Sequence, residues 1–135
     1  MIVADISALI ALFVLDEPDH PAVRDAIEGE PGPIIVSPYV VAEVDHLIAA
    51  RLGVEAELEA LSALADGSYH LASIDEHDLA AIAQTVGRYR DQDIRAADAS
   101  IVVLAHRYGT RRVLTLDRRF DVLRPLAGGR FRILP

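Results

Sequence analysis

Short apolar segments alternate with longer stretches of helical period along the whole chain. The predicted strands are residues 2–4, 33–37, 69–74, 112–116 and 130–134. Between them, apolar side chains recur every three or four residues and predict helices over 7–15, 21–28, 38–52, 54–65, 75–89 and 94–109. Strands that alternate with helices are typical of a parallel sheet covered on both faces. We therefore expect an α/β protein: a three-layer α/β/α domain with a short, mostly parallel five-stranded sheet.

Several helix ends carry recognisable signals. Ser37-Pro38 places an N-cap residue before a proline at the first helical position, which marks a helix start. Ser7 stands at the start of the first helix and is a candidate cap. Gly53 and Gly109 follow the last apolar positions of their helices and predict helix ends.

Composition limits the class of protein. The chain has 135 residues, 52% of them hydrophobic, which suits one domain over 1–135. Cysteine is absent, so disulfides, thiolate nucleophiles and cysteine zinc sites are excluded. Asp5 interrupts the first apolar run and no basic residue precedes it, which disfavours a cleaved signal peptide. No apolar stretch is long enough to span a bilayer. We expect a cytoplasmic protein that does not bind membranes.

The net charge of −8 conceals an asymmetry between the two parts of the chain. Residues 1–87 carry a net charge of −14, whereas residues 88–135 carry +6. All 13 basic residues are arginine. Guanidinium groups bind phosphate in a bidentate manner, so the cationic part predicts either a phosphate-binding surface or ordinary solvated charge.

Two carboxylates fall at predicted strand ends and two inside helices. Asp5 ends the first strand and Asp117 ends the fourth, where each could bind a ligand or cap the following turn. Glu43 lies within 38–52, and the apolar period turns it partly toward the core. Asp98 lies among small and apolar residues early in the helix over 94–109. A carboxylate in such surroundings is costly unless it is paired or binds a metal.

Four converging carboxylates would repel one another and raise their pKa values, because the chain has no lysine to neutralise them. A divalent cation removes that repulsion. Oxygen ligands without cysteine, and five histidines at no metal-ligand spacing, favour Mg²⁺ or Mn²⁺ over Zn²⁺. Such ions activate water for attack on a phosphodiester. Ser7 and Thr115 could hold the neighbouring carboxylates, or act only as a helix cap and a strand residue.

Four segments together resemble the PIN-domain ribonucleases, and among them the VapC toxins of bacterial type II toxin–antitoxin pairs. The segments are "VADISALIALF", "VSPYVVAEVDHLI", "DIRAADASIVVLAHRYG" and "VLTLDRRF", and they cover nearly the whole chain in order. The resemblance implies a catalytic and metal-binding quartet of Asp5, Glu43, Asp98 and Asp117. It also implies Mg²⁺- or Mn²⁺-dependent cleavage of single-stranded or looped RNA (tRNA or rRNA), a homodimer, and neutralisation by a cognate VapB-type antitoxin.

One residue departs from the family pattern. Members usually carry Thr or Ser directly after the first aspartate, and Ile6 stands there in this chain. Its side chain cannot donate the hydrogen bond that the usual hydroxyl supplies near the metal. Asp91 and Asp93, just before the helix over 94–109, are interpreted as helix caps or as outer-sphere metal groups.

The arginines around the last two acids are candidate RNA contacts. The set comprises Arg95, Arg111, Arg112, Arg118 and Arg119, with Arg118 and Arg119 the first choice because they follow Asp117 directly. The acidic N-terminal half is the expected antitoxin face, where the apolar segments 11–15 and 47–52 could form a groove for a partner helix.

Four other functions share features with this sequence. Receiver-type signalling domains and haloacid-dehalogenase-type phosphatases also combine parallel sheets with acidic clusters, but both require a lysine that this chain lacks. A catalytically silent PIN-like binding module would have lost one or more of the four acids, and none is lost. A housekeeping RNA-processing PIN nuclease remains an alternative within the same chemistry.

Overall fold

The computed structural model describes residues 1–135 as five strands, six α-helices and one 3₁₀ turn. The strands are β1 (Ile2–Ala4), β2 (Ile34–Val36), β3 (Tyr69–Leu71), β4 (Arg112–Leu114) and β5 (Arg132–Leu134). The helices are α1 (Ile6–Phe13), α2 (His20–Glu28), α3 (Pro38–Leu52), α4 (Val54–Ala65), α5 (Glu76–Arg88) and α6 (Ala96–Arg107), and the 3₁₀ turn is Arg118–Asp121. Every predicted element is present, with ends that differ by up to three residues.

The sheet has the strand order β3-β2-β1-β4-β5, and every neighbouring pair is parallel. Its core strands are almost completely buried: Val3, Ile35 and Val113 are each 0% exposed. The chain builds outward from β1 first through β2 and β3, then returns to the other side through β4 and β5. The carboxyl end of β1 is therefore the point where the strand order reverses, and ligands of such sheets bind in the crevice there. The predicted α/β/α architecture is confirmed, with a wholly parallel sheet.

Helix α6 is buried on all sides. Residues 97–105 are all buried, and the helix contacts β1, β4, α3 and α5. A helix that is apolar all round belongs inside a fold, and here only Asp98 and Ser100 interrupt the buried apolar run. The chain thus places one buried carboxylate in the first turn of this helix.

Helix α3 begins as predicted. Ser37 is its N-cap and its hydroxyl accepts the Tyr39 N–H at 3.2 Å, with Pro38 at the first helical position. The helix ends at Gly53, whose φ of +87° is a conformation that side chains with a Cβ rarely adopt. None of the six helices is both long and apolar enough to cross a bilayer.

Candidate active site

The four predicted acids line one pocket at the carboxyl edge of the sheet. Asp5 is the N-cap of α1 directly after β1, and Asp117 is the N-cap of the 3₁₀ turn after β4. Asp98 occupies the third position of α6, and Glu43 projects from α3. All four belong to the lining of a pocket of about 400 Å³. The structure therefore brings the four predicted acids to one pocket.

Asp5 is held by two hydroxyl groups. Ser7 Oγ and Thr115 Oγ1 lie 2.8 and 2.7 Å from Asp5 Oδ2 and donate to it. The same hydroxyls accept the backbone N–H groups of Leu116 and Asp117, each at 2.9 Å. Each hydroxyl thus gives its proton to Asp5 and receives one from the segment that leads to Asp117. This network ties the first acid to the fourth.

The surroundings of Asp5 oppose its ionisation. The residue is 2% exposed, and burial raises the pKa of its carboxyl despite the hydrogen bonds from Thr115 and Ser7, which lower it. Asp98 adds repulsion that raises it further. The helix-cap alternative for Ser7 is wrong, because Asp5 is the N-cap of α1 and Ser7 lies inside the helix.

Asp98 is anchored at the amino end of α6. Its Oδ2 accepts the Arg95 backbone N–H at 2.9 Å, and the positive end of the helix dipole favours a negative charge there. Burial raises the pKa of its carboxyl, the Arg95 N–H and the Arg119 charge lower it, and the charges of Asp117 and Glu43 raise it. The charges of Asp117 and Glu43 therefore add to the effect of burial in opposing the ionisation of Asp98.

Glu43 differs from its predicted orientation. It is exposed, while Val40, Val44 and Ile48 are the buried positions of α3. The expectation that Glu43 turns partly toward the core is therefore wrong. It lies at the open rim of the acidic pocket, where it is exposed to solvent and lines the pocket together with the other carboxylates.

Arg119 is the cation that contacts the quartet. Arg51 also lines the pocket, but its Nη1 lies 3.4 Å from Glu17 Oε1 and pairs with that acid. Its Nε and Nη2 donate to Asp117 Oδ2 at 2.8 and 2.5 Å, and its backbone N–H donates to Asp117 Oδ1 at 2.9 Å. Its Nη1 donates to the Asp93 carbonyl at 2.9 Å and lies 3.6 Å from Asp98 Oδ2. Burial acts to raise the pKa of Asp117, but the contacts with Arg119 outweigh it and the pKa is lowered.

The donor set fits a hard divalent cation in its chemistry. The quartet supplies only carboxylate oxygens, two of them on residues whose burial opposes charge, and oxygen is the ligand that Mg²⁺ and Mn²⁺ prefer. In this arrangement no three acidic or histidine side chains converge closely enough to hold one ion. Binding therefore requires the carboxylates to draw together.

The four other arginines predicted as RNA contacts lie at two different edges of the sheet. Arg95 is exposed at the start of α6, beside the acids. The Arg118 side chain is 92% exposed and its Nε donates to Asp121 at 2.7 Å, so it contacts none of the quartet. Arg111 and Arg112 precede or begin β4 and therefore lie at the opposite, amino edge. These two candidate RNA contacts therefore do not lie beside the acidic site, although they are near Asp117 in sequence.

Arg112 has a structural partner at that amino edge. Its Nη1 lies 2.6 Å from Glu30 Oε2, and the Glu30 side chain is 0% exposed. Burial acts to raise the pKa of Glu30, but the chain's α-ammonium, the Gly32 N–H and Arg112 outweigh it and the pKa is lowered. The carboxylate is thus stabilised as an anion in the folded protein, with Arg112 as one of its cations.

Replacing Arg112 with alanine is expected to lower the free energy of unfolding at pH 7 by about 1–3 kcal/mol, because Glu30 loses a charged partner while buried. RNA cleavage per folded molecule should not change, since the guanidinium lies at the other edge. Chemical denaturation and an initial-rate assay measure the two effects. Arg130→Ala, at an exposed arginine nearby, is the matched control. An Arg112 variant of wild-type stability with impaired cleavage would contradict this placement.

Asp91 and Asp93 do not cap α6. The helix begins at Ala96, two residues later than predicted, and its N-terminal bond joins Arg95 and Asp98. Asp93 has a φ of +53° and offers its carbonyl oxygen to Arg119. The cap interpretation is therefore wrong, and Asp93 acts through its backbone.

A buried hydroxyl pair was not predicted. Ser100 Oγ lies 2.7 Å from Ser37 Oγ and 2.6 Å from the Ala97 carbonyl, and both serines are 0% exposed. The pair joins the amino-terminal part of α6, which carries Asp98, to the N-cap of α3, the helix that carries Glu43. Ser100 is the one hydroxyl within the apolar run of α6, and that isolation was the available signal.

Replacing Thr115 with valine is expected to reduce RNA cleavage by about 10–100-fold, the usual effect of removing a group that orients a metal ligand. Valine keeps the shape but removes one donor to Asp5 and the acceptor of the Asp117 N–H. Initial rates at saturating metal measure the loss. Thr115→Ser retains the hydroxyl and should recover most of the rate. Equal rates for the valine and serine variants would exclude this role.

Known proteins match this chain over nearly its whole length. A family model described as the PIN domain matches residues 2–124. Ribonuclease VapC26 of Mycobacterium tuberculosis (strain ATCC 25618 / H37Rv) is 51% identical over 134 residues, which cover 98% of this chain and 99% of that protein.

Solved structures share the fold at low identity. VapC20 of Mycobacterium tuberculosis, described as a sarcin-ricin loop cleaving toxin, superposes with a TM-score of 0.84 at 17% identity, covering 90% of this chain and 94% of that chain. FitAcB from Neisseria gonorrhoeae gives a TM-score of 0.64 at 20% identity, covering 98% and 97%. A toxin-antitoxin complex from Klebsiella pneumoniae gives 0.63 at 19% identity, covering 87% and 88%.

Proposed function

The chain belongs to the PIN-domain family, and we propose that it is a Mg²⁺- or Mn²⁺-dependent endoribonuclease toxin of the VapC type, which is the type of its 51% identical relative. Its substrate is a single-stranded or structured loop of tRNA or rRNA, and a cognate VapB-type antitoxin neutralises it. The observation that carries this proposal is the convergence of Asp5, Glu43, Asp98 and Asp117 on one pocket at the carboxyl edge of the sheet.

The four carboxylates are the proposed metal ligands and catalytic residues. A bound Mg²⁺ or Mn²⁺ ion supplies Lewis-acid polarisation of the scissile phosphate and acidifies a water molecule. Asp5 is well placed to act as a metal ligand in a fixed position, because Ser7 and Thr115 donate to its Oδ2 and no side chain donates to its Oδ1. Asp98 is similarly fixed by the Arg95 N–H. Glu43, exposed at the rim, keeps the freedom to approach the ion or to orient water.

The arginines at this edge supply the positive charge that RNA requires. Arg95 and Arg119 stand at or beside the pocket, and Arg118 extends into solvent next to it. RNA would approach a pocket that is itself acidic, so these guanidinium groups and the metal must offset the repulsion of its phosphates. We propose Arg95, Arg118 and Arg119 as backbone contacts.

The direct test is cleavage of RNA by the purified protein. Transcripts of tRNA and of ribosomal RNA loops, incubated with Mg²⁺ or Mn²⁺, should yield discrete fragments, and EDTA should abolish them. Metal should restore cleavage after chelation. The Asp5→Asn protein, prepared identically, controls for contaminating ribonuclease. Cleavage that persists in EDTA, or equally in the variant, would reject the proposed chemistry.

The antitoxin face is proposed on α1, α3 and α4. Large apolar side chains remain exposed there: Leu15 (76%), Leu52 (52%), Val54 (58%) and Leu58 (51%). Helix α1 packs on α3 and α3 on α4, so the two predicted apolar segments belong to neighbouring parts of the fold. An antitoxin helix would cover these side chains. The proposed homodimer is measured separately, by light scattering of the purified protein.

Expression in a bacterial host distinguishes the toxin from the alternatives. Induction of the chain alone should arrest growth, and co-expression of the small reading frame immediately upstream should relieve the arrest. A housekeeping nuclease would cleave RNA without such relief. A silent binding module would neither cleave RNA nor arrest growth.

A further inference from the structure

We propose that Arg119 is an internal counter-ion that couples metal binding to RNA binding. Before the ion binds, Arg119 neutralises Asp117 and Asp98. When the ion takes its place, the released guanidinium contacts the RNA backbone. This inference rests on the proposed function, since it requires the same quartet to bind a divalent cation, and it assigns the site a residue that competes with the ion for Asp117 Oδ2.

The contacts of Arg119 place a positive charge where the ion's charge is needed. Two of its N–H groups converge on Asp117 Oδ2, and a third nitrogen lies 3.6 Å from Asp98 Oδ2. A carboxylate oxygen that receives two guanidinium protons has little lone-pair density left for a metal ion. Asp117 therefore cannot become a full ligand through Oδ2 until Arg119 withdraws.

The guanidinium is free to withdraw. Its side chain is 42% exposed, so its release into solvent requires little new hydration, whereas Asp98 is 6% exposed and stays in place. Its one bond to the protein outside the acids goes to the Asp93 carbonyl, on a loop residue with a φ of +53°. A half-exposed side chain held by two carboxylates and one loop carbonyl can exchange partners without disturbing the core.

The released side chain suits a phosphate at the pocket mouth. Guanidinium presents a planar fork of donors that matches two phosphate oxygens. Metal binding then makes Arg119 available to RNA, and RNA binding keeps Arg119 away from Asp117. By thermodynamic linkage each ligand must raise the affinity for the other by the same factor.

The neighbouring arginine provides a matched control. Arg118 carries the same charge one residue earlier, but it is 92% exposed and pairs with Asp121, not with the quartet. Its removal changes the long-range charge almost equally and leaves the contacts at Asp117 intact.

The first measurement is Mn²⁺ affinity without RNA, by titration calorimetry on full-length protein. Arg119→Ala should bind Mn²⁺ about fivefold more tightly or better, at the scale of ordinary site coupling. Arg118→Ala should match the wild type. Arg119→Lys, which keeps the charge but loses the fork, should fall between. Thermal unfolding verifies that each variant is folded. Equal or weaker Mn²⁺ binding by folded Arg119→Ala would overturn the proposal.

The second measurement is RNA affinity with and without Mn²⁺, using a 2′-O-methyl oligonucleotide whose integrity is checked on a gel. Mn²⁺ should tighten RNA binding by the wild type, and most of that gain should vanish in Arg119→Ala. The salt slope of its RNA binding with Mn²⁺ should also fall by about one unit. If Mn²⁺ increased the RNA affinity of Arg119→Ala as much as that of the wild type, the proposed coupling would be wrong. Failure of the wild type to cleave RNA would instead reject the proposed function, since neither measurement here depends on cleavage.

Discussion

Asp98→Asn is expected to reduce RNA cleavage by about 10²–10³-fold, comparable to the loss of one preorganised electrostatic group from other active sites, without weakening the fold. Asparagine keeps the size of the side chain, and its carbonyl oxygen can still accept the Arg95 N–H that holds Asp98 at 2.9 Å. What it removes is the negative charge, together with an anionic ligand for the ion. Initial rates of cleavage at saturating metal measure the effect.

The same substitution should preserve or raise the stability of the metal-free protein. Burial raises the pKa of Asp98, so the folded protein retains this proton to a higher pH than the unfolded chain. The folded state therefore loses stability as pH rises through that range, and at neutral pH the ionised group is a cost. Thermal melts should show a Tm at pH 7 at least as high for the variant, with the difference shrinking as acid protonates Asp98 in the wild type.

Asp121→Asn is the matched control for this prediction. Asp121 is an exposed partner of Arg118, outside the quartet, and its neutralisation should leave cleavage close to that of the wild type. If Asp98→Asn retained more than about a tenth of wild-type activity, the loss would be below the range for such a group and the catalytic assignment of Asp98 would be wrong. If the variant melted well below the wild type, the account of Asp98 as a destabilising buried charge would fail.

The helices and strands could be predicted from the sequence because the spacing of apolar residues directly reflects which side chains are buried. Segments such as 2–4 and 112–116 have no polar face, and only a sheet covered on both sides buries them completely. Periodicity is less informative for residues near the edge of an apolar stripe. Glu43 lies between Val41 and Val44 in sequence but projects from the pocket rim, because a helix face shifts by about 100° at each residue.

Sequence proximity misled the assignment of the arginines. Arg112 and Asp117 are five residues apart, but an extended chain advances about 3.3 Å per residue, so the two lie at opposite edges of the sheet. Arg119 is two residues from Asp117 across a 3₁₀ turn, which folds it back onto the carboxylate. Distance along the chain becomes distance in space only when the intervening backbone conformation is known.

The hydroxyl network around Asp5 could be recognised only from the three-dimensional structure. Ser7 and Thr115 are 108 residues apart, and nothing in either local sequence shows that both donate to one oxygen. Ser7 looked like a helix cap because the first helix was predicted to begin at residue 7, whereas it begins at Ile6 with Asp5 as cap. That shift of one residue moves the serine hydroxyl from a capping position to the site.

Phe120→Ala is expected to lower the free energy of unfolding by about 3–5 kcal/mol, the usual cost of emptying a buried aromatic position. Phe120 is 1% exposed and packs edge-on against Phe131, with ring centroids 6.4 Å apart. It is the one buried residue of the 3₁₀ turn, so its ring anchors the segment that presents Asp117 and Arg119. A loss of this size should lower the Tm by about 10 °C or more.

Because the ring anchors that turn, its removal should also affect the site in molecules that remain folded. At a temperature where Phe120→Ala is folded, Asp117 and Arg119 have lost their anchor, and Mn²⁺ affinity should fall below that of the wild type. Phe131→Ala removes the partner ring but leaves the turn's own side chain in the core, so it should destabilise the protein with a smaller effect on Mn²⁺ binding. Phe120→Leu, which refills most of the volume, should recover both properties in part. A Phe120→Ala protein that loses less than about 1 kcal/mol, well below the range for a buried aromatic, would contradict the anchoring role of this ring.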